Sequence, residues 1–301
     1  MIKCFEANAF LCFIIETVSM QSKFPLKVVI VSVIAFGCIY PSLVRCQTAF
    51  ETELLKKIDS LSISLEELEL YPNDAPQNIL IPSGWGGYGT YVFGSVGLSY
   101  PEVYKDNKAD LIGSAGFCVG NPQKFVNIAA SVNITDVSQI SEYSANFNIS
   151  RKIFKGSSIS VGGLQLFANP ESSDAPWPTL YIAFSHSIQT MPSKTPGASK
   201  LTYTIGIGNG RFIKKSPKDV EAERGKSGTA VFGGISYELF RRVNVNAEWS
   251  GINLGLSFGV RPFKNLLLSF GAGITDLTRY SSDKPSGVFF IGYPLSLKRI
   301  N

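Results

Sequence analysis

Residues 243–260 read Val243-Asn244-Val245-Asn246-Ala247-Glu248-Trp249-Ser250-Gly251-Ile252-Asn253-Leu254-Gly255-Leu256-Ser257-Phe258-Gly259-Val260. Val243, Val245, Ala247 and Trp249 fall on one side of an extended chain, and Asn244, Asn246 and Glu248 on the other. After a break, Ile252, Leu254, Leu256, Phe258 and Val260 alternate with Asn253, Gly255, Ser257 and Gly259. Side chains of a strand alternate between faces, so a period of two marks two strands with one apolar and one polar face each. Ser250-Gly251 reads as a two-residue hairpin turn that sets Trp249 opposite Ile252, and neither strand needs a bulge.

The same period runs outward through most of the chain. Val126, Ile128, Ala130, Val132 and Ile134 interleave with Asn127, Ala129, Ser131, Asn133 and Thr135. Tyr143, Ala145, Phe147 and Ile149 interleave with Ser144, Asn146, Asn148 and Ser150. Twelve strands are predicted, near 90–100, 109–119, 124–135, 142–151, 157–168, 179–189, 200–211, 228–239, 242–249, 252–261, 265–275 and 286–297. The even number and the typical length of 9 to 12 residues suit tilted strands crossing a hydrocarbon layer. The polar face is built of Ser, Asn, Thr and Gly with few Lys or Glu, whereas the water face of a soluble sandwich or lipocalin-like barrel is normally rich in charge. The expected fold is therefore all-β, a transmembrane up-and-down antiparallel barrel in a bacterial outer membrane.

Connection lengths give orientation. The connections after strands one, five, seven and eleven are long, and those after strands two, four, eight and ten are short. This places both termini at the periplasmic side, with Ser250-Gly251 and Thr190–Ser199 as exceptions. Outward Tyr143 and Trp249 fall near the external ends of their strands, and Tyr203, Tyr237 and Tyr293 near the periplasmic ends, the levels that interfacial rings favour.

Ahead of the barrel, Val28–Tyr40 is an apolar run behind Lys23 and Lys27, the layout of an export signal. Residues 1–46 are read as a signal peptide with translation starting at Met20. Residues 47–89 are read as an N-terminal helix over 48–70 followed by a linker, either lying at the periplasmic side or plugging the lumen. Residues 90–297 are the barrel and 298–301 a tail. Four of five cysteines, Cys4, Cys12, Cys38 and Cys46, lie in the presumed signal peptide, leaving Cys118 without a disulfide partner.

The segment 246–257, with Arg261-Pro262-Phe263-Lys264-Asn265 and the earlier Ile205-Gly206-Ile207-Gly208-Asn209-Gly210-Arg211-Phe212, resembles hairpins of uncharacterised bacterial outer-membrane barrels of porin-like type. The resemblance covers roughly the last third of the chain. It implies the fold and no activity. The ending Leu297-Lys298-Arg299-Ile300-Asn301 lacks the terminal aromatic usual in such barrels.

Chemistry is sparse. His186 is the only histidine and sits on the apolar face; the position two residues on, where a membrane-embedded hydrolase would place its serine, is Ile188. Ser185 and Ser187 point to the lumen, so no enzymatic activity is expected. One histidine and one surviving cysteine exclude a transition-metal cage, and no cofactor is expected. Asp106, Asp110 and Asp283 are read as loop carboxylates. Gly206-x-Gly208-x-Gly210 lacks the Lys-Ser/Thr and the following helix of a phosphate loop. The basic residues between Lys214 and Lys226 are interspersed with acids, and the net charge of +3 left once residues 1–46 are removed (24 basic against 21 acidic) does not describe a nucleic-acid surface.

The predicted lumen lining is Asn127, Asn133, Asn146, Asn148, Asn244, Asn246, Asn253, Ser257 and Glu248, with Arg242 and Arg261 near the periplasmic mouth. Such a lining fits a narrow passive channel for small hydrophilic solutes. The alternative is an occluded structural or assembly barrel linked to surface polysaccharide export, with inward Tyr91, Phe93 and Phe290 filling the lumen. Expected partners are the lipid bilayer, lipopolysaccharide and the barrel-assembly machinery.

Overall fold

A computed structural model describes residues 52–54, 56–58, 69–101, 109–136, 141–168, 177–278 and 285–297. The predicted signal peptide and the C-terminal tail lie outside these residues, as do Asp106 and Asp283. Residues 1–67 form a separate unit, in which 52–54 and 56–58 are helical; the rest of the helix predicted over 48–70 has no described structure except 69–70, which are not helical.

The second unit is a closed antiparallel barrel of twelve strands. In chain order these are β1 Tyr91–Tyr100, β2 Asp110–Gly120, β3 Asn127–Asp136, β4 Ser141–Phe154, β5 Ser157–Leu166 and β6 Thr179–Ser187. The circuit continues with β7 Leu201–Gly208, β8 Val231–Phe240, β9 Val243–Trp249, β10 Leu254–Val260, β11 Ser269–Thr275 and β12 Ser286–Ser296. Each strand pairs with its chain neighbours, and β12 closes on β1 from Gly287↔Tyr100 to Ser296↔Tyr91. Closure leaves no unpaired sheet edge, the condition a sheet must meet to span hydrocarbon.

The barrel is inside out relative to a soluble one. The apolar partners of the alternation are exposed, Val132 at 51% and Ile207 at 56%, while Asn127, Ser160, Asn244 and Asn246 are at 0%. Polar atoms gather inside because the strand backbones are fully paired and the lipid face offers a polar side chain no partner. This is the arrangement of an outer-membrane barrel. Tyr143, Tyr203, Tyr237 and Tyr293 are exposed on the outer face. All twelve strands expected from sequence are present, with limits moved by no more than four residues.

The β9–β10 hairpin differs in one respect. Trp249 pairs with Leu254, not Ile252, and the Ser250 N–H donates to the Asn253 carbonyl at 2.9 Å. The turn is thus Gly251-Ile252, one residue later than Ser250-Gly251. Gly251 has φ +90°, a conformation glycine adopts at the first central position of such turns. The Ser250 hydroxyl reinforces the shift by accepting the Asn253 N–H at 3.0 Å. Because pairing moves by two residues, every side chain keeps its face. Asp110, expected in a loop, opens β2 and is buried.

Candidate functional site

The lumen is occupied by the linker. Residues 69–89 enter at the end that carries the short turns, climb along one wall, cross near the top and descend along the other to the start of β1. At entry, Tyr71 and Pro72 pair in parallel with Ala198 and Ser199 in the β6–β7 connection. Asn73 and Asn244 exchange amide hydrogen bonds at 2.9 and 2.8 Å, and Asp74 meets Arg261 at 3.4 Å. The climb continues with Gln77 accepting from the Thr202 hydroxyl at 2.6 Å and Asn78 donating to the Thr204 hydroxyl at 2.5 Å.

At the top of the climb the Glu248 carboxylate gathers three consecutive backbone donors. Ile79 N–H reaches Oε1 at 3.1 Å, while Leu80 and Ile81 N–H reach Oε2 at 2.7 and 3.1 Å; the Ser257 hydroxyl donates to Oε1 at 2.8 Å. Glu248 is 1% exposed. A charged acceptor shared by four donors is a strong local anchor, and a buried segment with no ladder of its own needs such partners for its backbone.

The descent is tighter. Gly84 N–H donates to the Ser185 hydroxyl at 2.8 Å, and the Ser160 hydroxyl donates to the Ser83 carbonyl at 2.8 Å. Gly86 and Gly87 pass close to Ser150 and Cys118, and Gly89 N–H ends the segment on the Gly120 carbonyl at 2.9 Å. Beside it an aromatic cluster covers the inner wall at β6 to β8: Phe212 stacks on Phe232 at 4.3 Å, Tyr181 meets Phe232 edge-on, and Ile81 packs with them. Gly206 and Gly208 are glycines because these rings lie where their Cβ atoms would be.

Two cavities adjoin the linker among the described residues. One, about 420 Å³, opens toward the long-loop end above Ile79 and Leu80, against Gly97, Ser99 and Phe290, with Arg211, Asp219 and Asp276 around it. Burial pushes the Asp219 carboxyl, in the short helix Pro217–Glu221, above the usual carboxylate range. The other, about 360 Å³, lies below, between Trp85, Gly86 and Gly87 of the linker and Phe93, Ser95 and Gly292 of the wall. Phe290 pairs with Gly97 and Gly292 with Ser95, so the two cavities occupy successive levels of the β12–β1 wall.

Every residue predicted to line the lumen falls on the inward side. Asn127, Asn133, Asn244, Asn246, Asn253, Ser257 and Glu248 are buried; Asn146, Asn148, Arg242 and Arg261 are half-buried. Most bond to one another or to the linker: Asn246 to Ser236 and Ser257, Asn133 to Ser144, Asn148 to Tyr181, and Asn253 to Asp276. Sequence reasoning placed Glu248 in the lining and Arg261 near the periplasmic mouth, and left the linker either at the periplasmic side or plugging the lumen. Its signal was composition: a run with prolines at 72, 76 and 82, a patch Ile79-Leu80-Ile81, and glycines at 84, 86 and 87.

The base of the linker also responds to pH. Burial by itself raises the Glu69 carboxyl, but hydrogen bonds from the Lys152 ammonium, the Gly156 N–H and the Tyr71 hydroxyl outweigh it, and the group ends below its ordinary value of 4.5. A depressed carboxyl stabilises fully above the unfolded value and loses that contribution as pH falls through the folded one. The anchor is therefore expected to hold at neutral pH and to release only in acid below the ordinary glutamate range. Trp85 meets the Tyr71 ring edge-on at 6.4 Å, so its emission reports the release once Trp177 and Trp249 are replaced by Phe. Glu69→Gln should remove the transition.

Sequence reasoning left His186 without a serine. The structure brings one from the neighbouring strand: the Ser157 hydroxyl lies 2.7 Å from His186 Nδ1, and the ring faces Tyr203 at 5.5 Å. Ser157 is buried, and among the described residues no carboxylate or amide bonds the far imidazole nitrogen, the third group that orients a catalytic base. Cys118 is buried and free beside Asn127. Among the described residues no cluster of three or more metal-binding side chains occurs.

No family model and no curated protein matches the chain. Among solved structures, outer membrane phospholipase A from Escherichia coli aligns over 70% of this chain and 98% of its own at 12% identity, with a TM-score of 0.34. The Salmonella typhi outer membrane phospholipase, a dimer with bound calcium, aligns over 73% and 94% at 11% identity, with a TM-score of 0.35.

Proposed function

We propose that this outer-membrane barrel is a gated conduit for small hydrophilic solutes, held shut by residues 69–89. The observation that carries this reading is the pair of cavities at successive levels of the β12–β1 wall, kept apart by the linker and by Phe93 and Phe290. The wall there presents Ser95, Gly97, Ser99, Gly271, Gly273 and Gly292, so a solute would meet backbone and hydroxyl groups and little side-chain bulk. The linker is held mostly by polar contacts, which water can replace when it moves. Insertion by the barrel-assembly machinery and contact of the long loops with lipopolysaccharide belong to the same reading. No catalytic step does.

The test is single-channel conductance in a planar bilayer, for the whole protein and for a form lacking residues 69–89. The whole protein is expected to be quiet or to flicker, and the shortened one to give steady steps. A second reading, an occluded structural barrel, draws on the buried Phe212, Phe232, Tyr181 and Ile81 cluster, which packs the linker against the wall. Silence in both forms, with heat-modifiable gel migration showing that both barrels are folded, would favour it.

A further inference from the structure

The end of the barrel that carries the short turns has a repeated feature that neither the lumen nor the linker explains. In four of its five hairpin turns an exposed phenylalanine stands directly beside a basic residue: Lys124-Phe125, Phe154-Lys155, Phe240-Arg241 and Phe263-Lys264. The rings are turned out, Phe125 at 77%, Phe154 at 69%, Phe240 at 65% and Phe263 at 49% exposed, and the four neighbouring cations are exposed with them. Such rings add nothing to the packing of a turn and leave large apolar area facing outward.

Charge at this end is one-sided. The five turns, 121–126, 155–156, 188–200, 241–242 and 261–268, contain no acidic residue. The turn 188–200, which has no phenylalanine, supplies Lys194 and Lys200, and Lys200 lies 4.8 Å over the outward Tyr237 ring. The described acids nearest this rim are engaged: Glu69 with Lys152, the half-exposed Asp74 with Arg261, and the buried Glu238 accepting the Arg242 N–H at 3.2 Å. The opposite end mixes both signs, with Glu221 and Glu223 next to Arg224 and Lys226.

We propose that this rim is a docking ring for anionic phospholipid headgroups of the adjoining leaflet. Each phenylalanine would sit at the boundary of headgroups and acyl chains, and the cation beside it would meet a phosphate. The complementarity is of charge and of depth together: a rim whose five turns carry cations and no acid, and an apolar anchor placed one residue from each cation. Spacing the pairs around the circumference fixes the tilt of the barrel as well as its height. The proposal rests on the barrel and its outer face, and stands whether or not the lumen conducts.

The experiment uses the whole protein in phosphatidylcholine vesicles, with spin-labelled phosphatidylglycerol or spin-labelled phosphatidylcholine added as probe. The wild type is expected to hold phosphatidylglycerol at its surface roughly threefold to tenfold more strongly. In Lys124→Gln/Lys155→Gln/Arg241→Gln/Lys264→Gln the ratio should fall toward one, as it should for the wild type at high salt. If the fourfold variant fails to show heat-modifiable migration, Lys124→Gln/Lys264→Gln replaces it, with an intermediate ratio expected. Phe125→Ser/Phe263→Ser should weaken the preference less than the charge changes do. Equal association of the two lipids with the wild type, or an unchanged ratio in the charge variants, overturns the proposal. So does loss of selectivity on adding inorganic phosphate beyond that caused by chloride of equal ionic strength, since it would mark a site for free phosphate.

Discussion

Glu248→Ala is expected to unlatch the lumen. The substitution leaves the N–H groups of Ile79, Leu80 and Ile81 and the Ser257 hydroxyl without their common acceptor. A buried donor left unsatisfied costs about 1 to 3 kcal/mol. Three adjacent ones make it more favourable for the apex to leave the wall and let water in. The strand ladder of β9 does not depend on this side chain, so the barrel itself should remain closed. The expected result is conductance approaching that of the form lacking 69–89, together with protease cleavage in the Pro76–Pro82 stretch of a protein that still migrates as a folded barrel. Glu248→Gln should be milder, because one amide oxygen can still accept while the amide nitrogen opposes a donor. A Glu248→Ala protein as quiet and protected as the wild type would show that the carboxylate is no latch.

Gly84→Val attacks the other limb by sterics. A Cβ at Gly84 would stand 2.5 Å from the Ser185 nitrogen and 2.6 Å from the Ser158 carbonyl oxygen, atoms of the paired strands β6 and β5. Flexible side chains yield to such a clash, but backbone locked in a ladder does not. The limb must therefore move inward and give up the Gly84 bond to Ser185. Overpacking of this kind costs about 1 to 3 kcal/mol, and here the strain falls on the linker. The expected outcome is a folded barrel whose two cavities merge, seen as step conductance and as a changed Trp85 emission one residue away. Gly94→Ala is the control, since a Cβ there meets nothing closer than 3.8 Å. Equal behaviour of the two variants would mean that the descending limb does not hold the lumen shut.

These two residues also show what was legible in advance. Glu248 was placed on the polar face of β9 by alternation alone, and that placement needed only the period of two. Its partners were not legible, because they are main-chain groups from a segment 167 to 169 residues earlier in the sequence. Backbone N–H groups carry no residue-type signature, so no pattern in Ile79-Leu80-Ile81 announces a carboxylate. Gly84 carries no mark of its own in the sequence; the need for a bare Cα arises only where β5 and β6 pass against it. Ser157 and His186 were likewise invisible as a pair, since cross-strand register joins them and spacing along one strand does not.

The β9–β10 hairpin marks the boundary between the two kinds of information. Its faces followed from side-chain alternation, which is local and survives any shift of pairing by two residues. Its turn did not, because Ser250-Gly251 and Gly251-Ile252 both put glycine where a positive φ is tolerated, and the choice rests on the Ser250–Asn253 pairing and on Thr229, whose N–H reaches the Gly251 carbonyl at 2.8 Å. By itself the sequence determined strand number, facing and the inside-out distribution of polarity, because each depends on the two-residue period and on the need of a membrane sheet to close. The occupant of the lumen, the latch on Glu248 and the two cavities were decided only by the tertiary structure, because they depend on where one irregular segment finds hydrogen-bond partners along a wall that offers many.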